Sequence, residues 1–243
     1  MSALGAQLRA EVTMTLRRGE SVLLALGIPV LLLVFFSSVD VVAVPAGTPR
    51  RVDFVAPGVL ALAVLSAAFT GPAIATAFER QYGVLKRIGT TPLGRPRLLV
   101  AKIAAVAVVE AVQFVALVAV AVALGWRPDA SGVPGAVLAA LLGTAAFTGL
   151  ALLIAGTMRA EAVLAAANGL HILLLLVSGM VVALDRLPGP MAAVSRLLPS
   201  TALTEIVRGL IGSDPSVPGR AWAVIAVWAV LGPLLAIWRF RWE

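Results

Sequence analysis

Apolar positions fall in long unbroken runs separated by short polar segments. Uncharged stretches cover Ser21–Val39, Phe54–Phe78, Ala130–Met158, Ala162–Leu184 and Ala221–Trp238, and Ile103–Trp126 joins them with Glu110 as its one charge. A helix rises about 1.5 Å per residue, so crossing about 30 Å of hydrocarbon takes about 20 residues. Six runs of that order predict six transmembrane helices, at about 21–39, 55–77, 103–124, 135–157, 162–184 and 221–238. The expected fold is an all-α polytopic membrane protein, one domain over 1–243.

Three other segments carry a pattern. Leu4, Leu8, Val12 and Leu16 recur every four residues, with Arg9, Arg17 and Arg18 mostly off that stripe. This predicts an amphipathic interfacial helix over 1–20. Glu11 and Glu20 interrupt what a signal peptide would keep basic, so no cleavage is expected. Residues 185–219 are too polar to span, yet Leu203, Ile206, Val207, Leu210 and Ile211 share a helical face, with Thr204, Glu205 and Arg208 off it. Pro199–Ser200 marks a start and Gly212 an end, which predicts a re-entrant helical hairpin before the last span. In the second span, Pro57 is placed near the helix start and Pro72 deeper, where it withholds a hydrogen bond from the Ala68 carbonyl and bends the helix.

The third segment, 78–102, holds Arg80, Lys86, Arg87, Arg95, Arg97 and Lys102, six of the chain's 19 basic residues. Phe78–Ile88 reads as a helix leaving the membrane. Gly89-Thr90-Thr91-Pro92 breaks it, with Thr90 or Thr91 capping the returning helix and Pro92 in its first turn. Gly94-Arg95-Pro96 then leads to Lys102 and the third span. Helix, proline turn and returning helix make a rigid knuckle suited to a partner.

Composition fixes the solvent. Hydrophobic residues are 60% of the chain and charged residues 13%, against about 25% charged in soluble domains; mean hydropathy is +1.03. The net charge of +7 is topological rather than a nucleic-acid footprint, since cytoplasmic loops collect Lys and Arg and the basic loop has little aromatic interleaving. With both termini inside, twelve basic residues, both lysines among them, lie on the inner face against seven outside.

Enzyme chemistry is missing. There is no cysteine and one histidine, His171, so no thiolate or multi-histidine metal site forms within one chain. Lys86 and Lys102 are the only lysines, and neither sits in a phosphate-binding G-x-x-x-x-G-K-[ST] loop. If ATP drives the protein, another polypeptide hydrolyses it. Inside the spans, Glu110 and Gln113 lie i, i+3, as do Asn168 and His171. An intramembrane carboxyl points to a proton relay from Glu110 to His171 or to an interhelical hydrogen-bond clamp. Small residues pair at four-residue spacing on the fourth span: Ala136 with Ala140, Ala139 with Gly143, Ala145 with Gly149.

The order ERQYGVLKRIGTTPLGRPRLLVAK, Glu79–Lys102, resembles the segment between the second and third spans of permeases in type-2 ATP-binding-cassette (ABC) exporters. VDFVAPGVL, 52–60, is similar to the Pro-Gly start of their second span. LLPSTALTEIVRGL, 197–210, is similar to the segment before their last span. The resemblance implies a permease paired with itself or a relative, two separate ABC ATPase subunits, and ATP with magnesium held in those subunits, none bound by this chain. Glu79, Arg80, Tyr82, Gly83, Lys86, Arg87, Thr90, Thr91, Pro92, Arg95 and Lys102 become the coupling element, and Pro199, Glu205 and Arg208 mark an outer gate. It implies a bacterial inner membrane and an amphipathic cargo: a drug, lipid, glycolipid or polysaccharide carrier. The competing readings are an ion-driven secondary transporter, for which Glu110 and His171 supply the membrane charges, and a non-transporting anchor or sensor subunit.

Overall fold

In the computed structural model, residues 3–17, 19–41, 44, 48–90, 94–180, 184–212 and 216–239 are described, without the side chains of 3, 4, 14–17, 19–25, 89 and 95. Among them the secondary structure is helical, with no strand. α1 (Ala3–Arg17) and α2 (Gly19–Ser38) precede α3 (Arg51–Leu65), which continues through a π-helical turn, Ser66–Thr70, into α4 (Gly71–Gln81). Next come α5 (Val84–Gly89), α6 (Gly94–Ala123), α7 (Val133–Ala155) and α8 (Ala160–Val177). α9 (Gly189–Ser195), α10 (Pro199–Ile211) and α11 (Gly219–Arg239) complete the chain.

Among the described residues, five helices are long and apolar enough to cross a membrane: Arg51–Gln81, Pro96–Ala123, Ala130–Ala155, Ala160–Val177 and Gly219–Arg239. α2 adds a shorter apolar stretch, Leu26–Ser38. The helix 51–81 is central. Its most apolar window is 78% buried inside the protein, against 22% for those of α6, α8 and α11, which face outward with Val112, Val115, Leu173, Val230 and Leu234.

Pro57 stands two turns inside α3, because the helix starts at Arg51 rather than beside the proline. Pro72 comes just after the π turn. The wider i→i+5 turn absorbs the clash and the missing donor that proline imposes on an α-helix. The helix that contains the third predicted span begins at Gly94, so the returning limb of the knuckle and that span are one 30-residue helix.

The helix that contains the fifth predicted span stops at Val177. Ser178 ends it, and Gly179 takes φ +78°, a left-handed conformation that glycine adopts without a Cβ clash.

Helix crossings depend on missing side chains. A Cβ on Gly149 of α7 would lie 2.4 Å from the Pro233 nitrogen of α11, and one on Gly232 would lie 2.9 Å from the Ala146 carbonyl. Those two helices touch backbone to backbone, the close approach that small residues permit between membrane helices. Of the other small pairs, Gly143 faces Leu203 and Val64. α10 is wedged among α3, α7 and α11, with Pro199–Leu203, Thr204, Ile206, Val207 and Ile211 buried.

Candidate functional site

At one end of the bundle, here the basic end, three helices meet on Lys102. Its ammonium Nζ lies 2.8 Å from Glu79 Oε2 at the end of α4 and 3.0 Å from Glu11 Oε1 on α1. The Lys102 side chain is 5% exposed, Glu79 17% and Glu11 11%. Gln7 Nε2 donates to Glu11 Oε1 at 2.9 Å, one turn back on α1. A buried ammonium requires such partners, because leaving water costs several kcal/mol per ion. Glu11 thus pins α1 to α6.

Around this triad the knuckle is fixed by packing. Leu85 of α5 is fully buried with Leu98 and Leu99 of α6, Leu152 of α7 and Ala236 of α11. Apolar burial stabilises roughly 1.5–3 kcal/mol per large side chain, so Leu85 holds α5 down. Arg80 donates to the Met158 carbonyl, and Gln81 Nε2 to Glu161 Oε1 at 3.0 Å, tying the end of α4 to the α7–α8 connection.

The chain breaks at Tyr82–Gly83 as well as after α5, which ends at Gly89 as expected, with α6 starting at Gly94. Gly83 has φ +72°, left-handed backbone that glycine takes at no steric cost. The Tyr82 ring is exposed and stacks on Phe78, centroids 6.0 Å apart. Lys86 and Arg87 lie exposed on α5. Thr90 Oγ1 donates back to the Arg87 carbonyl at 2.8 Å, so it closes α5 instead of capping α6. Thr91 and Pro92 lie outside the described residues, as does the side chain of Arg95.

The intramembrane polar residues separate. Glu110 is 2% exposed, and Thr144 Oγ1 of α7 lies against its Oε2 and 2.8 Å from the Ala140 carbonyl. Thr144 has one hydroxyl proton for these two oxygens. Both contacts are hydrogen bonds at once when Glu110 is protonated and donates to Thr144. Gln113 is buried one turn further along α6. Asn168 Nδ2 donates within its own helix, to Leu164 O at 2.8 Å. Glu110 on α6 thus meets Thr144 across the α6–α7 contact, the geometry of an interhelical clamp.

At the far end, Arg208 of α10 reaches α8 and α3 together. Nη1 donates to the Gly179 carbonyl, Nη2 to the Met180 carbonyl at 2.8 Å, and the guanidinium lies 3.9 Å from the centre of the Phe54 ring. Cations at helix C-termini and over aromatic faces are favourable. Arg220 Nη2 donates to Glu205 Oε1 at 2.6 Å, joining α11 to α10. Pro199 sits in the first turn of α10, where its missing N–H goes unused.

Residues 3–211 match the family model described as ABC-2 type transporter. The chain belongs to this family. The comparison with curated proteins found no match. It is an ABC-2 membrane permease domain, a multi-pass membrane protein, without an ATPase motif of its own, and ABC-2 permeases function with ABC ATPase subunits. The triad Glu11–Lys102–Glu79 therefore lies in a permease beside its most basic segment. Sequence reading picked out Glu79 and Lys102. Glu11 enters that reading only as an acidic break in what a signal peptide would keep basic, and the one signal for it is its position near the apolar stripe.

Proposed function

We propose that the permease forms the translocation path of an ATP-driven exporter as a dimer, with six crossings counting α2, moving an amphipathic molecule from the cytoplasm or inner leaflet. Membership in the ABC-2 family over residues 3–211 carries this reading. The knuckle supports the coupling role. It presents Lys86 and Arg87 outward on a short helix whose opposite side, at Leu85, is anchored in the bundle. A load on α5 is passed to α6, α7 and α11 rather than lost in a mobile loop. On this reading the basic end faces the cytoplasm, as do both termini, and each ATPase holds ATP and magnesium outside this chain.

The test is reconstitution of the permease with its ATPase subunit in vesicles, reading ATP hydrolysis and movement of a fluorescent amphiphile. Lys86→Glu with Arg87→Glu should release the ATPase on gel filtration and abolish movement while the permease stays folded. Transport by the permease alone under an ion gradient would overturn the reading.

A further inference from the structure

The outward face of α8 differs from those of its neighbours. Along their middles, α6, α7 and α11 turn Val112, Val115, Val137, Leu141, Val230 and Leu234 outward, as hydrocarbon asks. α8 buries Ala160, Val163, Ala167 and Leu174 against the bundle. Its opposite face runs Ala165, Asn168, Gly169, Ile172 and Leu176, at i, i+3, i+4, i+7 and i+11, and every one of these is exposed. A side-chain amide therefore points away from the bundle at mid-helix. Asn168 lies about 12 Å along α8 from Ala160 and about 14 Å from Val177. So short a side chain reaches the water at neither end.

The amide has hydrogen-bonding capacity to spare. Nδ2 gives one proton to the Leu164 carbonyl of its own helix at 2.8 Å. Its second proton and the Oδ1 acceptor have no partner among the described residues. Leaving them against lipid is costly, and polar side chains inside membranes accordingly turn toward other helices. One open donor and one open acceptor complement a second amide in the same pose. A second copy of this chain inserts the same way up, so its Asn168 arrives at the same depth. A two-fold axis beside α8 then lets each Nδ2 donate to the other copy's Oδ1. Close approach is available as well. Ala165 and Gly169 are small and one turn apart, and a Cβ at Gly169 would meet nothing within 4 Å. A single polar residue in such an apolar seam fixes register and partner number.

We propose that two copies of this chain pair through α8, Asn168 against Asn168, with Ala165, Gly169 and Ile172 packed about the axis. The proposal rests on the dimer reading above and narrows it: the partner is an identical chain, and α8 is the contact.

The chain has no cysteine, so introduced cysteines report without background. The full chain is placed at low density in phosphatidylcholine vesicles and mildly oxidised. Ala165→Cys and Ile172→Cys should each cross-link to a two-copy species, while Val115→Cys on α6 and Val230→Cys on α11 should not. Asn168→Leu, at an exposed position that leaves the fold of the single chain alone, should cut the Ile172→Cys yield about fivefold or more through loss of two interhelical hydrogen bonds. Cross-linking at Val115 or Val230 instead, or a yield unchanged by Asn168→Leu, would overturn the proposal. So would labelling of Ile172→Cys by a membrane-impermeant maleimide, which marks a water-filled face. Mass measurement in nanodiscs separates this contact from the dimer reading. Two copies without an α8 cross-link reject the contact and keep the dimer, whereas a single copy rejects the dimer itself.

Discussion

Replacing Lys102 by methionine keeps the length of the side chain and removes its charge. Glu11 and Glu79 are then left facing one another with little water, at 11% and 17% exposure. Breaking a buried pair by deleting one partner costs about 3–5 kcal/mol, because the remaining charge loses its counterion but not its desolvation. For a chain of this size each kcal/mol moves the unfolding temperature by about 2–4 °C, so Lys102→Met should lower it by roughly 6–20 °C. The readout is thermal unfolding in mild detergent, followed by tryptophan fluorescence. The decisive comparison is the triple variant Glu11→Leu, Glu79→Leu, Lys102→Met, which removes every charge together. Replacing a whole buried network by apolar side chains is neutral or stabilises by about 1–4 kcal/mol, so the triple variant should recover the loss. A Lys102→Met protein as stable as the parent, or a triple variant as weak as the single one, would refute the account of the triad as a mutually dependent buried network.

Gly83→Val should cost about 1–2 kcal/mol from the left-handed backbone alone, since no atom lies within 4 Å of the added Cβ; chemical unfolding measures it, and no loss would mean that residue 83 can leave φ +72° freely. Gly149→Ala should destabilise by about 1–3 kcal/mol or more through overpacking against Pro233, whereas Gly169→Ala, with nothing within 4 Å, should be silent in the same assay. Glu110→Gln retains a donor toward Thr144 and should keep both stability and transport, while Glu110→Leu, which strands the Thr144 contact, should lose about 1–3 kcal/mol; loss of transport in the glutamine variant with stability intact would restore the relay.

Much of the architecture is carried by local pattern, and the departures have long-range causes. The apolar runs that mark α3–α4, α6, α7, α8 and α11 follow from hydrophobicity alone. α10 begins at Pro199 and ends before Gly212, at positions that punctuate the sequence. The end of α8 carries no comparable signal, because apolar residues continue past Val177. It is imposed by Gly179 together with a guanidinium 29 residues away. Gly89 ends α5 where the Gly-Thr-Thr-Pro composition places a break, whereas the additional break at Gly83 carries no such signal, since only the backbone dihedral reveals a left-handed requirement. Glu11 was illegible for a similar reason. A carboxylate on an amphipathic helix reads as solvated until another helix, 91 positions on by sequence number, brings an ammonium to within 3.0 Å.

The unbroken helix Gly94–Ala123 has a mechanical consequence. A rod held at Lys102 is a lever with unequal arms: about 12 Å back to Gly94 and about 32 Å forward to Ala123. A displacement at the short arm therefore arrives at the opposite tip reversed in direction and magnified roughly 2.6-fold. If the elbow receives the movement of an ATPase, as proposed above, an ångström-sized tug there swings the distal end by about 2.6 Å.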